Sequence, residues 1–230
     1  MYRRLPHLFA CVLLIAGLAA CGSGDDGSTG SETVTATTGE QATSEAQSSG
    51  ERVSIPGAGE ALIWGSGRHT VLLAHGVAFD AASWQQQAEK IATSGSFVVA
   101  LEETGPDQFL AASRYLREQR SAASVALIGA SAGADSALDA VADDPDAFDQ
   151  LVTLSVNSTT DGLGSAPKLF IASEDEPGVG FSTELAASAD GSRNEALLLP
   201  GSAHAQAIFD GDQAGPAMEA ILERVQPGAG

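Results

Sequence analysis

Ser124-Val-Ala-Leu-Ile-Gly-Ala-Ser131-Ala-Gly133 is the stretch that decides how this chain is read. Ser124 to Ile128 is a continuous apolar run with β-branched residues, the pattern of a strand buried on both faces. Ala132 to Ala142 is rich in alanine, the best helix former, and stops at Asp143-Asp144-Pro145. Between them stands Gly129-Ala-Ser131-Ala-Gly133, a G-x-S-x-G pattern at a strand-to-helix handover. A serine held in so sharp a turn takes strained backbone angles. Side chains two residues to either side are expected to collide with it, and glycines relieve that clash. The turn presents the hydroxyl at the carboxyl end of the sheet, where α/β proteins build their sites. It also sets the backbone N–H of Ala132 at a helix N-terminus, able to stabilise an oxyanion. Ser131 is thus a candidate nucleophile.

Five more apolar runs extend the pattern outward: Val71–Ala74, Phe97–Leu101, Leu151–Val156, Leu169–Ala172 and Ala196–Leu199. Helical stripes lie between or after them. Trp84, Ala88, Ile91 and Ala92 form one, Phe109, Ala112, Ser113 and Leu116 a second, and Ala217, Ala220, Ile221 and Val225 a last. Strand and helix in strict turn predict right-handed crossovers and a three-layer α/β domain, a mostly parallel sheet with helices on both faces. Val53–Ile55 and Leu62–Trp64 can add an antiparallel hairpin at the start.

The chain has 230 residues and a formal charge of −19, from 30 acids against 11 bases. That balance excludes sequence-independent nucleic-acid binding, which needs Lys and Arg against phosphate. It also disfavours attraction to anionic lipid. Two cysteines, Cys11 and Cys21, make neither a disulfide scaffold nor a zinc site. Arg3 and Arg4, the apolar run Phe9 to Leu18 and the small residues before Cys21 have the order of a secretory signal peptide over residues 1–20. Leu18-Ala-Ala-Cys21 resembles the bacterial lipobox, which implies that Cys21 is lipidated and that the protein sits in the bacterial cell envelope, facing outside the cytoplasm. At about 0.8 kcal/mol per buried CH₂, several acyl chains hold a protein firmly at a membrane. Residues 22–51 are nearly all Gly, Ser, Thr, Gln, Ala and acids, a tether that cannot bury enough apolar surface to order itself. The globular domain is then expected over 52–230.

A serine nucleophile needs a base, and after residue 20 only His69, His75 and His204 are available. His69 precedes a strand, at the opposite end of the sheet, and reads as a surface loop residue. His75 ends the first buried run. His204 follows the last run and precedes the final helix. The base must be oriented by an acid at its other nitrogen. Glu174, Asp175 and Glu176 leave the run Leu169–Ala172 at the same sheet end as Ser131.

With the order serine, acid, histidine, residues 62–226 resemble the α/β-hydrolase family. The resemblance implies a Ser131-His204-acid triad. Strict register with the family's Gly-x-x-Asp puts the acid at Glu176, with Asp175 one loop shift away. His75-Gly76 matches the family's His-Gly pair after the third strand, which implies Val77 N–H as the second oxyanion donor beside Ala132 and a structural role for His75. No metal or organic cofactor is implied. Only residues 157–167 join the run Leu151–Val156 to the run that follows it, too few for a lid, so an open site is expected, suited to a small or polymeric ester. Glu102-Glu103-Thr104-Gly105 departs from the family's usual turn with Asp and Arg, which weakens any transfer of substrate from the family's lipases or haloalkane dehalogenases. The competing expectation is a non-catalytic binding or scaffold lipoprotein on the same fold.

Overall fold

Eight strands form one sheet in the order β1-β2-β4-β3-β5-β6-β7-β8 in the computed structural model, which describes residues 50–227. The leader, Cys21 and residues 22–49 of the tether lie outside the described residues. The strands are β1 (Glu51–Ile55), β2 (Gly59–Gly65), β3 (His69–Ala74), β4 (Phe97–Leu101), β5 (Ser124–Ala130), β6 (Gln150–Leu154), β7 (Lys168–Ser173) and β8 (Asn194–Leu199). β1 and β2 form the antiparallel hairpin, β2 runs antiparallel to β4, and all other pairs are parallel. β1 opens at Glu51, one residue ahead of the boundary expected at 52.

The continuous apolar runs follow from a sheet covered on both faces. Leu72, Val99, Leu101, Leu127 and Phe170 pack under helices α2 (Pro106–Gln119), α3 (Ala132–Asp143) and α4 (Val179–Ser188). Their neighbours Leu73, Val98, Ala100, Ile128 and Ile171 pack under α1 (Gln85–Thr93) and α5 (Ala214–Val225). Alternate residues of one strand therefore serve opposite layers. Trp84 ends a 3-10 turn, Ala81–Trp84, that feeds α1, and its buried ring meets Phe209 edge-on at 6.1 Å.

Three expectations change. The strict alternation fails between β6 and β7, where residues 155–167 return to the start of the sheet without a helix. A parallel crossover of about a dozen residues is long enough to do this unaided. β6 also stops at Leu154 rather than Val156, because Ser155 turns to a φ of 57° and leaves the extended region. His69 is not a loop residue: it opens β3, half-buried, with Nδ1 2.9 Å from Ser124 Oγ. Helix α4 and a 3-10 segment at Ala205–Asp210 give no apolar stripe in the sequence; α4 buries only Ser182 and Leu185.

Candidate active site

β5 delivers Ser131 and α3 begins at the next residue. Ser131 has φ 51° and ψ −120°, a left-handed angle that costs a non-glycine residue about 1–3 kcal/mol. The neighbouring backbone holds it there. Its N–H donates to Leu154 O at 2.9 Å, and its carbonyl accepts from Ala134 and Asp135 at 2.8 and 3.0 Å. The two glycines are required for a different reason from the one expected. A Cβ on Gly129 would stand 2.5 Å from Gly133 O, and one on Gly133 would stand 2.5 Å from His75 O and 2.7 Å from Ala74 O. The obstruction is backbone: α3 starts pressed against its own strand and against the end of β3.

Ser131, His204 and Glu176 meet in one hydrogen-bonded line. His204 Nε2 lies 2.9 Å from Ser131 Oγ, and His204 Nδ1 lies 2.7 Å from Glu176 Oε2. A carboxylate at Nδ1 selects the tautomer that leaves Nε2 free to accept the serine proton. Glu176 is 4% exposed, and its other oxygen accepts from Ser155 Oγ at 2.8 Å and from Ser173 N–H at 2.9 Å. Three donors on one carboxylate is the arrangement of an ionised acid. Asp175 and Glu174 are exposed. Their backbone N–H groups bind Gly201 O and Leu199 O at 2.9 and 2.8 Å, tying this turn to the loop that carries His204.

Sequence reasoning missed Ser155. Its buried hydroxyl donates to Glu176 and accepts the N–H of Ala205 at 2.8 Å, joining the acid to the residue after His204. Ser131, Ser155 and Ala205 all have positive φ, so three of the four such non-glycine residues described cluster here. A serine at the end of an apolar run is a visible signal, but its partners are not.

His75 is buried and does not join this line. Its ring nitrogens face Gly76 O at 2.9 Å and Glu102 O at 3.1 Å, which holds the loop after β3 against the turn after β4. A Cβ on Gly76 would lie 3.4 Å from Ser131 Cβ, so that loop passes close beside the serine. Among the described residues the N–H groups of Val77 and Ala132 have no protein acceptor. Val77 (87% exposed), Phe79 and Phe181 are the exposed large apolar side chains of the described region. A cavity of about 390 Å³ borders this loop, lined by Phe79, Ser83, Gln86, Gln87, Gln206 and Phe209. Another, of about 430 Å³, lies at the opposite end of the sheet beside His69, Ser124 and Asp149. No group of three His, Cys, Asp or Glu suited to a metal ion occurs among the described residues.

No protein-family model matches the sequence, and no curated protein does. Solved structures do. An epoxide hydrolase A from Mycobacterium thermoresistibile superposes with a TM-score of 0.62 at 16% identity, over 76% of this chain and 97% of that one. A monoacylglycerol lipase from Paleococcus ferrophilus gives 0.60 at 13% identity, over 72% and 97%. A CIB-like hydrolase from Thermoplasma acidophilum gives 0.57 at 18% identity, over 76% and 97%.

Proposed function

On the α/β-hydrolase fold that this chain shares with those structures, we propose a serine hydrolase that cleaves a carboxylic ester through an acyl-enzyme, lipid-anchored at Cys21 in a bacterial cell envelope and facing outside the cytoplasm. The observation that carries the reading is the line Ser131–His204–Glu176, with contacts of 2.9 and 2.7 Å. Ser131 Oγ attacks the ester carbonyl and its proton passes to His204 Nε2. The tetrahedral oxyanion rests on the N–H groups of Ala132 and Val77, each donor typically worth about 2.7–4 kcal/mol. As the intermediate collapses, the alcohol leaves with the proton from His204. Water then gives one proton to His204 and attacks the acyl group; as this second intermediate collapses, His204 returns that proton to Ser131 Oγ and the acid is released. Glu176 stays ionised and holds the imidazolium. The half-exposed His204 and the short β6–β7 connector favour an open site that admits a bulky or polymeric ester.

A fluorophosphonate probe tests this on the full-length chain. Covalent labelling is expected, and its loss in both Ser131→Ala and His204→Ala. A folded parent chain that takes no label would overturn the proposal in favour of a non-catalytic binding lipoprotein.

A further inference from the structure

We propose that Gln206 is a positioning residue that fixes the oxyanion loop to the loop of the base. This rests on the serine-hydrolase reading above. Gln206 stands two residues after His204 and is 6% exposed. Its Oε1 accepts the N–H of Gly76 at 3.0 Å, across 130 positions of sequence. Its Nε2 donates to Ser83 Oγ at 2.8 Å. Ser83 in turn donates its hydroxyl to Asp80 O, at 2.5 Å, and its N–H to the Asp80 side chain, at 3.0 Å, which caps the 3-10 turn before α1. One buried amide thus joins the segment that follows His204, the loop after β3 and the 3-10 turn before α1.

The geometry of the peptide bond gives that link its effect. The Gly76 carbonyl and the Val77 N–H belong to one planar unit, in which they point opposite ways. The carbonyl is pinned by Phe79 N–H at 3.0 Å and faces His75 Nδ1 at 2.9 Å. The preceding peptide is pinned at Gly76 N–H by Gln206. With both peptides around Gly76 held, the Val77 N–H has a set direction. Side-chain packing contributes nothing there, because Gly76 has no side chain and that of Val77 is exposed. Of these pins, Gln206 is the one that comes from the base's own loop. It therefore fixes the donor of the oxyanion relative to the donor of the proton.

Gln206→Met removes both bonds at similar volume. In the full-length chain, kcat on p-nitrophenyl acetate is expected to fall about 10- to 100-fold, with KM within about threefold, since a small misplacement of a catalytic group acts on the transition state. Affinity for an aryl trifluoromethyl ketone, whose adduct carries the oxyanion, should fall by a similar factor. Ser83→Ala, which loosens only the far end of the clamp, should lower kcat about three- to tenfold and likewise spare KM. A folded Gln206→Met chain with kcat and ketone affinity within about twofold of the parent would sink the proposal. If that variant does not fold, parental kcat and ketone affinity in Ser83→Ala would do so instead. Failure of the parent to take the fluorophosphonate is a separate result and strikes the hydrolase reading itself.

Discussion

Glu174, Asp175 and Glu176 leave the end of β7 together, yet one side chain is buried and two face solvent. The turn decides this. Its first two N–H groups are committed to the loop of His204, which leaves the third side chain to fold under and collect Ser155, Ser173 and His204. Glu176→Gln should therefore lower kcat about 10³- to 10⁴-fold, because an amide no longer selects the Nδ1–H tautomer. Asp175→Asn should stay within about twofold of the parent. Ester hydrolysis rates of the two variants, side by side, check the assignment; the reverse order would make Asp175 the acid. Ser155 belongs to the same scale. Its hydroxyl bonds acid and base loop at once, and its left-handed backbone is the bend that brings it there.

Lys168 opens β7 fully buried, at the end of the sheet opposite Ser131. Its Nζ donates to the carbonyls of Gly164, Ala166 and Asp190 at 2.7, 2.6 and 3.0 Å. It thereby gathers the helix-free β6–β7 connector and the loop before β8 around one cation. Burial lowers its pKa from 10.5, and the nearby Asp190 charge opposes that in part. The unfolded chain then binds more protons than the folded one in the window just below 10.5, so this group makes stability rise with pH there. Lys168→Met leaves three carbonyls without their donor and should cost about 1–3 kcal/mol at neutral pH. The margin of the parent over this variant should widen as pH rises toward 10.5. Urea unfolding at pH 7, 8.5 and 10 measures it, and a constant or shrinking margin would contradict the account.

The whole chain carries a formal charge of −19, with acids well in excess of bases. Such a field repels anionic substrates, and salt screens it over about 8–10 Å at physiological ionic strength. The exposed apolar Val77 and Phe79, on the loop beside Ser131, favour an uncharged acyl group at that edge. Raising salt from 10 to 300 mM, a range about a physiological value, should increase kcat/KM for an anionic ester several-fold and leave a neutral ester of the same size nearly unchanged. Equal responses of the two esters would show that the surface charge does not reach the site.

Much of this protein is legible in its sequence. The six strands read from apolar runs, the hairpin, four of the five helices and the serine at its turn all follow from local patterns, because hydrophobic periodicity and glycine spacing are local consequences of burial and backbone sterics; the edge strand β8 is the exception in burial, with only Leu199 buried. Helix α4 escapes because it buries too little to leave a stripe, and the helix-free β6–β7 connector because a chain of sufficient length needs no helix to cross a sheet. The three acids after β7 are visible as a cluster, with Glu176 first only by resemblance. Which of them meets His204, that Ser155 ties acid to base, and that Gln206 reaches Gly76 are decided by the tertiary structure alone. Those contacts join residues separated by 21 to 130 positions. Their partners are set by how the loops at the carboxyl end of the sheet converge, and no local pattern encodes that convergence.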